Sequence, residues 1–254
     1  MCIERHICID GTKNFRDLGG YLTNDGRCRI KWRRCFRSDH LGNVPSTESN
    51  FRLLRDTLNI GCIIDLRSPE ERKEHSYMIP GILIYKIPIS ATVPMLNKAD
   101  GVPQFTEEHA EGYMLHLYEH FIDLKSVWKA FFRILVVQAQ KDYAVLFHCK
   151  AGRDRTGFTA ALIMLLLDIP LEVVYEEYLS SNTYSDHPFI DTLKGLNMEC
   201  HAASALCTAR RAYLERAIEL LCNQYGSVKN YVENELGLTV KEIELLKQRF
   251  LEEV

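Results

Sequence analysis

Long hydrophobic runs are missing from this sequence. The longest, residues 158–167, is interrupted by Thr159 and is too short to span a lipid bilayer. Residues 1–10 mix charges with isolated apolar residues and lack the apolar core of a signal peptide. These absences predict a cytoplasmic protein that contacts membranes at most peripherally, although they leave open an export route that needs no such signal. Repeats and Gly/Ser linkers are missing too, so we expect a single domain, 1–254.

Excess charge of one sign is also missing. The chain has 31 Lys and Arg residues against 34 Asp and Glu residues, and this balance gives no indication of nucleic-acid binding. Hydrophobic residues make up 46% and charged residues 26%, which is typical of a globular protein and argues against long disorder. The nine cysteines include no C-x-x-C pair and are odd in number, so they indicate a reduced intracellular protein rather than a disulfide scaffold.

Strands and helices alternate in the predicted secondary structure. Residues 61–65 and 144–148 are short apolar runs bounded by charge, which is typical of buried strands, and 82–87 is a third candidate. Helical spacing covers 47–58, 113–137, 156–167 and most of 171–254. We therefore predict an α/β fold, in which helices flank a central, mainly parallel sheet and a helical C-terminal part follows.

Two loop features stand out between these elements. The tripeptide Asn24-Asp25-Gly26 is a strong signal for a hairpin turn. Residues 90–111 contain two prolines and few periodic apolar residues, so they are predicted to form an inserted loop. Together with a following helical stretch they make 90–124 a candidate lid.

The segment that carries chemistry is the loop between the strand that ends at His148 and the helix that begins near Thr156. Backbone N–H groups and a helix N-terminus converge at such a loop, so it is suited to bind a phosphate dianion. The same positive field favours the thiolate form of Cys149. Because a thiolate beside a bound phosphoryl group is a nucleophile directed at phosphorus, we predict a phosphocysteine intermediate on Cys149.

The spacing of Cys149 and Arg155 lets the loop curl around one tetrahedral anion. The Arg155 guanidinium can then contact two phosphate oxygens and stabilise the charge of the transition state. Thr156 can donate a hydrogen bond to the cysteine sulfur, and Gly152 permits backbone geometry that a side chain would hinder. The alternative for Cys149 is a structural role as a buried cysteine. This structural role is our interpretation of the other cysteines. The predicted phosphate-binding residues are Lys150, Ala151, Gly152, Arg153 and Thr156.

Four ordered motifs carry a family resemblance. They are Asn14-Phe15-Arg16-Asp17-Leu18-Gly19-Gly20, Phe36-Arg37-Ser38, Ile64-Asp65-Leu66-Arg67 and Ala151-Gly152-Arg153-Asp154-Arg155-Thr156-Gly157. The pattern His-Cys-x5-Arg-Thr-Gly resembles the signature of the protein-tyrosine phosphatase superfamily. All four motifs together are similar to its subgroup of atypical bacterial tyrosine and lipid phosphatases, over roughly the first two thirds of the chain.

The resemblance implies a two-step reaction that needs neither a metal nor a cofactor. The cysteine is phosphorylated first, and water then releases phosphate. The resemblance also implies that the aspartate before the signature arginine, Asp154, is the general acid. Position 153 departs from the subgroup, which usually has lysine there. Since Arg153 keeps the charge, we expect the chemistry to be retained and the hydrogen bonds to a second phosphate to differ.

Further charged residues of the motifs are candidate accessory groups. Asp65 ends a predicted strand and is the second candidate for the general acid, with a structural pairing to Arg67 as the equal alternative. The roles of Arg37 and Arg67 are left open between the site and a structural ion pair. Arg16 and Asp17 are expected to be structural and to hold the N-terminal hairpin against the sheet.

Two substrate classes fit the loop. Phosphotyrosine in proteins is the first, and phosphoinositide head groups are the alternative. Lys150 and Arg153 add two cations to the loop, as in phosphoinositide phosphatases that resemble the tensin-homologue group. If these cations face solvent or pair with Asp154, the support for a polyanionic substrate is lost. The sequence does not predict the oligomeric state.

Two remote alternatives belong to other functional classes. Residues 116–120 match the pattern H-x-x-E-H, in which His116 and His120 on one helix face could bind zinc, with Glu119 as the base. The match is short, and an exposed helix explains it equally well. A phosphate-binding module without catalysis is the second alternative. Such modules typically lose the cysteine or the arginine of the loop, whereas Cys149 and Arg155 are both present.

Overall fold

The computed structural model describes residues 4–91, 106–184 and 200–254. The strands in these ranges are β1 (Arg16–Asp17), β2 (Cys28–Ile30), β3 (Cys35–Ser38), β4 (Ile60–Asp65), β5 (Leu83–Lys86), β6 (Ala144–His148) and β7 (Leu251–Glu253). Five of them form one sheet in the order β1-β3-β6-β4-β5, in which only β1 is antiparallel to its neighbour. The prediction of an α/β fold with a central, mainly parallel sheet is therefore confirmed.

Helices account for most of the other described residues. They are α1 (Glu48–Arg52) with a π turn over Leu53–Thr57, α2 (Pro69–Glu74), α3 (Glu107–Asp123), α4 (Lys125–Ala139), α5 (Asp154–Leu166), α6 (Leu171–Leu179), α7 (Ser181–Tyr184), α8 (Cys200–Cys207), α9 (Arg211–Tyr225), α10 (Val228–Asn230) with a π turn over Tyr231–Glu235, and α11 (Val240–Phe250). In the part of the chain that the structure describes, no helix has the length and apolar character that a membrane span requires.

Two hydrophobic clusters lie on opposite faces of the sheet. Ile63 of β4 and Leu146 of β6 belong to one cluster, together with Leu54 of α1. Their chain neighbours Ile64 and Phe147 belong to the other cluster, which includes α3, α4 and α5. This alternation is the period-two pattern of a strand that is buried on both faces, and it explains why the central strands are continuous apolar runs.

The register of the central strands positions the loop that follows β6. Asp65 at the end of β4 lies opposite His148 at the end of β6, and Ser38 at the end of β3 also lies opposite His148. Three parallel strands therefore end together at one edge of the sheet, and Cys149 is the next residue along the chain. This edge is where open α/β sheets bind their ligands.

Helix α5 begins directly after the loop and is buried on nearly all sides. At its N-cap position, Arg153 makes no side-chain capping hydrogen bond to any part of the chain that the structure describes. The N–H groups of the first turn are therefore not all used within the helix, and they can hydrogen-bond an anion in the loop.

The helical pattern predicted for most of 171–254 does not extend to the last residues, which form a strand that was not predicted. There, β7 pairs antiparallel with β2, with Leu251 opposite Ile30. The predicted turn at 24–26 leads into β2, and Leu22 and Arg29 form a bridge across it. Pairing between segments so distant in the sequence leaves no local periodicity in the tail, so the helical pattern alone could not reveal it.

The candidate lid at 90–124 is divided by the structure. Residues 92–105 lie outside the described ranges. The following helix, α3, begins with a capping box formed by Thr106 and His109. Its side chains Tyr118 and Phe121 are fully buried, so most of the predicted helical part of the lid packs into the core of the protein.

Candidate active site

A cavity of about 390 Å³ lies beside the loop that follows β6. Its opposite wall is apolar and consists of Tyr113, Met114 and Leu117 of α3 together with Leu206 and Cys207 of α8. The loop contributes Cys149, Lys150, Ala151, Arg153, Asp154 and Arg155 to the lining. The structure thus brings most of the predicted loop residues together around one space.

The two remaining predicted loop residues, Gly152 and Thr156, lie outside the cavity lining. Gly152 has a φ of 65°, and a Cβ there would lie 2.5 Å from the backbone nitrogen of Asp39. Only glycine fits this close approach in the left-handed region. Thr156 is fully buried, and its Oγ1 has no hydrogen-bond partner among the described residues. A buried hydroxyl without a partner is rare in proteins, and this one can serve the predicted hydrogen bond to the sulfur of Cys149.

The guanidinium of Arg155 is held by a carboxylate that is not among the predicted site residues. Its Nη1 and Nη2 donate to Oε2 and Oε1 of Glu71 at 2.6 Å and 2.7 Å. Glu71 also closes the capping box of α2 with Ser68, a pattern visible in the sequence as S-x-x-E. Burial alone would lower the pKa of Arg155, but Glu71 and Cys149 raise it above its usual value. The arginine is therefore held in place and fully charged.

The two extra cations of the loop are both paired with carboxylates. Arg153 forms an ion pair with Asp154 at 2.8 Å and also donates to the backbone oxygens of Leu206 and Cys207 at the end of α8. Burial opposes the charge of Arg153, but the Asp154 ion pair raises the pKa of the guanidinium above its ordinary value. Lys150 lies 3.3 Å from Glu74. Arg153 therefore connects the loop to α8, and its charge at the cavity is already paired with Asp154.

Replacing Arg153 with lysine is expected to lower the free energy of unfolding by about 1–3 kcal/mol, since an ammonium group cannot hydrogen-bond Asp154 and both carbonyl oxygens of α8 as a guanidinium does. Urea denaturation measures this change. The matched control is Arg34→Lys, because Arg34 pairs with the highly exposed Asp142. Equal losses in the two variants would contradict a structural role specific to Arg153.

Asp154, the predicted general acid, lines the cavity at the first residue of α5. Its Oδ1 accepts a hydrogen bond of 3.0 Å from the hydroxyl of Tyr118, and both of its oxygens accept from Arg153. The carboxyl group is thus oriented from two sides. Tyr118 was not among the predicted site residues, because its position on the apolar face of α3 is typical of core packing.

Asp65 and Arg67 lie in a different environment from Cys149. Arg67 donates to both oxygens of Asp65, at 3.0 Å and 2.8 Å, and both side chains are almost fully buried. Burial would raise the pKa of Asp65, but the hydrogen bonds from Arg67 and the nearby His148 lower it. The pair lines a separate cavity, of about 350 Å³. This geometry favours the structural interpretation of Asp65 over a role as the general acid.

Arg37 lies beneath the loop and contacts it directly. Its Nη2 donates to the carbonyl oxygen of Gly152 at 2.5 Å, and its Nη1 donates to Oε2 of Glu177 at 2.6 Å. Arg16 donates to the other carboxylate oxygen of Glu177 at 2.8 Å. One buried carboxylate from α6 is therefore the shared partner of two buried arginines under the loop. In the sequence, Glu177 lies on the same helix face as the apolar residue Val174, and a charged residue on an apolar face is the signal that could have indicated a buried ion pair.

The N-terminal motif supports the loop from another side. Asn14 donates to the carbonyl oxygen of Gly152 at 2.9 Å. Asp17 accepts hydrogen bonds from the backbone nitrogens of Gly19 and Arg33 at 2.8 Å and 2.7 Å. Burial raises the pKa of Asp17 to about 6 despite these hydrogen bonds. The contacts of Asp17 and Arg16 agree with the structural roles expected for them.

The H-x-x-E-H pattern lies on the surface of α3. His116 and Glu119 are 3.2 Å apart, and Glu119 also forms an ion pair with Arg216 at 2.8 Å. In the described ranges, no group of three or more His, Cys, Asp or Glu side chains is arranged to hold a metal ion. The helix surface is explained by these ion pairs, and its geometry does not support the zinc alternative.

Several known proteins are similar to this chain. A protein of Cupriavidus necator that is named as a tyrosine-protein phosphatase is 28% identical over 253 residues, covering 94% of this chain and 87% of its own. The triple specificity protein phosphatase PtpB of Mycobacterium tuberculosis is 27% identical over 197 residues, 68% of each chain. Among solved structures, P. aeruginosa TpbA in complex with phosphotyrosine has a TM-score of 0.33 and 14% identity, covering 79% of this chain and 95% of its own.

The match to a family extends along almost the whole chain. The sequence profile described as "Tyrosine phosphatase family" matches residues 7–252, which include the N-terminal motifs, the loop and the helical C-terminal part. The chain therefore acts on phosphorylated substrates. It belongs to the tyrosine phosphatase family and is a cysteine-dependent protein-tyrosine phosphatase.

Proposed function

We propose that the chain 1–254 acts as one phosphatase domain that prefers aryl phosphate monoesters, above all phosphotyrosine in proteins. Cys149 is the nucleophile, Arg155 binds the phosphoryl group and Asp154 is the general acid. The observation that carries this proposal is the cavity in which all three residues face an apolar wall from α3 and α8. The pairing of β2 with β7 near the end of the chain supports a single domain.

The proposed reaction proceeds in two steps. In the first, the Cys149 thiolate forms a bond to phosphorus, the ester P–O bond breaks, and Asp154 gives its proton to the departing oxygen. In the second, water attacks the phosphocysteine, its proton passes to the Asp154 carboxylate, and the thiolate departs. The hydroxyl of Thr156 stabilises that thiolate. Arg155 and the N–H groups of the loop stabilise the phosphoryl oxygens in both steps.

The lining of the cavity favours an aryl group over an inositol polyphosphate. A phosphotyrosine ring requires apolar contacts, which Tyr113, Met114 and Leu117 provide. A head group with several phosphates requires cations that are not already neutralised. Arg153 is paired with Asp154 and Lys150 with Glu74, so the polyanion hypothesis loses much of its support.

The phosphoinositide alternative keeps one supporting observation. Lys150 lines the cavity, and its partner Glu74 has a side chain that is 60% exposed. An exposed ion pair contributes little energy, so a second substrate phosphate could displace Glu74 from Lys150. This alternative therefore depends on Lys150 alone.

Substrate preference is tested by phosphate release in the presence of EDTA from a phosphotyrosyl peptide, a phosphoseryl peptide and short-chain phosphoinositides. We expect the phosphotyrosyl peptide to have the highest kcat/KM, and Lys150→Ala to change kcat/KM by a similar small factor on all three. The matched control is Lys241→Ala, an exposed lysine on α11.

Three outcomes would contradict parts of the proposal. A loss of about 10-fold or more on phosphoinositides alone in Lys150→Ala would favour the lipid alternative. Activity abolished by EDTA would favour a metal-dependent hydrolase. Binding of phosphate without turnover of any substrate would favour a binding module. The cytoplasmic location stays a prediction, which fractionation of cells that express the protein would test.

A further inference from the structure

Tyr118 and Tyr178 form a buried chain of hydrogen bonds that ends on Asp154. Both rings are fully buried, and their hydroxyl oxygens are 2.6 Å apart. The Tyr118 hydroxyl lies 3.0 Å from Oδ1 of Asp154. Tyr118 comes from α3 and Tyr178 from α6, so two helices on different sides of the loop meet at this carboxyl group.

The direction of the chain follows from the number of protons. A phenol has one O–H group and can therefore donate one hydrogen bond. The Tyr118 hydroxyl donates this bond to Oδ1 of Asp154. Tyr178 therefore donates to the oxygen of Tyr118. Burial raises the pKa values of both phenols well above the ordinary value of 10.0. Both hydroxyls thus keep their protons over the working range of the enzyme.

The two oxygens of Asp154 have different partners. Oδ1 accepts from Tyr118 at 3.0 Å and from Nε of Arg153 at 3.1 Å. Oδ2 accepts from Arg153, from Nη2 at 2.8 Å and from Nε at 3.1 Å. Among the described residues, Tyr118 is the hydrogen-bond donor to Asp154 that comes from outside the loop, and it contacts only Oδ1. In the described part of the chain, Oδ1 therefore accepts hydrogen bonds from two residues, whereas Oδ2 accepts them from Arg153 alone.

We propose that Tyr118 is a positioning residue for the general acid, which directs the proton of Asp154 to Oδ2 and toward the departing oxygen. Tyr178 in turn orients the hydroxyl of Tyr118. The inference rests on the proposed role of Asp154 as the general acid. In the first step the Oδ2–H bond breaks, its proton joins the leaving oxygen, and the O–H of Tyr118 stays intact. Because negative charge develops on the carboxylate during this step, the Tyr118 hydrogen bond strengthens and lowers the barrier.

The packing explains why this contact is precise. Gly157, one turn into α5, lies against the Tyr178 ring, and a Cβ there would meet the ring at 2.7 Å. The Tyr118 ring also contacts Phe121 and Tyr213, with ring centroids 5.3 Å and 6.0 Å away. Rings held on several sides keep their hydroxyls in one place, which is what a positioning residue requires.

The test is Tyr118→Phe, which removes one hydroxyl and keeps the ring. We expect kcat/KM for phenyl phosphate, whose leaving group needs a proton, to fall by about 10- to 100-fold. For p-nitrophenyl phosphate, whose leaving group departs as the anion, kcat/KM should remain close to that of wild type. Tyr178→Phe should show the same selectivity with a smaller loss. The matched control is Tyr213→Phe, since Tyr213 donates to Ala205 and makes no contact with Asp154 among the described hydrogen bonds.

Asp154→Asn distinguishes a failure of the proposed role of Asp154 from a failure of the proposed role of Tyr118. If it slows both aryl phosphates equally, the proposed role of Asp154 fails. If it slows phenyl phosphate selectively but Tyr118→Phe does not, only the role of Tyr118 is overturned. Adding Tyr118→Phe to Asp154→Asn should cause no further selective loss, because both act through one proton transfer. Equal losses on both substrates in Tyr118→Phe, or a loss as large in Tyr213→Phe, would reveal a merely structural effect.

Discussion

Replacing Cys149 with serine is expected to reduce phosphate release from a phosphotyrosyl peptide by about 10³-fold or more, because a hydroxyl is not ionised at neutral pH and cannot replace the thiolate as the nucleophile. Cys149 is almost fully buried, and serine keeps nearly the same size, so we expect the variant to fold. Phosphate release in EDTA measures the loss, and circular dichroism verifies that the variant is folded.

The cavity itself provides a matched control. Cys207 is also buried and lines the same cavity from α8. Cys207→Ser is expected to keep activity close to that of wild type. Acid quenching of a reaction with phenyl phosphate that is radiolabelled on phosphorus should trap the labelled phosphoryl group on the wild-type protein. The Cys149→Ser protein should carry no label. Phosphate release that persists in Cys149→Ser, or a comparable loss in Cys207→Ser, would overturn the assignment of the nucleophile.

Replacing Glu177 with glutamine is expected to lower the free energy of unfolding by about 3–5 kcal/mol, because it leaves two buried guanidinium groups without a counter-charge. The side chain of Glu177 is 3% exposed, and its ion pairs with Arg16 and Arg37 measure 2.8 Å and 2.6 Å. Urea denaturation gives the free energy directly. Because Arg37 also donates to Gly152, we expect activity to fall as the loop loses its support.

A glutamate on the same helix is the control for this substitution. Glu172 pairs with Arg211 on the surface, where the two side chains are 66% and 44% exposed. Glu172→Gln is expected to leave the free energy of unfolding close to that of wild type, because exposed ion pairs contribute little to stability. If the two variants are equally stable, the buried carboxylate is not essential to the core.

The pH dependence of the Glu177 effect has a definite sign. Burial would raise the pKa of this carboxyl, but Arg37 and Arg16 lower it below the ordinary value of 4.5. A carboxyl whose pKa is lower in the folded state stabilises the fold above pH 4.5 and loses this contribution as the pH falls through the folded-state value. The difference in stability between wild type and Glu177→Gln should therefore be constant near neutral pH and shrink in acid. A difference that grows in acid would contradict the ion-pair explanation.

Features that depend on neighbouring residues were predictable from the sequence. The central strands were apolar runs bounded by charge, and α5 followed a loop with the spacing of Cys149 and Arg155. A strand, a loop and a helix in succession are local structure, so their order along the chain already indicates where the N–H groups of the loop converge. The nucleophile, the anion-binding loop and the parallel sheet were inferred in this way.

Features that depend on contacts between segments far apart in the sequence were not predictable. Glu71 pairs with Arg155 across 84 positions, and Glu177 pairs with Arg37 across 140. No pattern in a single sequence specifies such partners, because ion pairing is decided by burial and distance in the folded chain. The contact of Arg153 with α8 and the pairing of β2 with β7 are further examples.

The sequence by itself therefore determined the chemistry of this protein, and the tertiary structure decided how that chemistry is supported. Cys149, Asp154 and Arg155 are close in sequence, so their proposed joint function could be inferred from the local pattern and from the family resemblance that this pattern carries. The carboxylates that hold the arginines and the tyrosine that contacts Asp154 come from α2, α6 and α3. Only the packing of these helices against the sheet, which minimises exposed apolar surface, brings them to the loop.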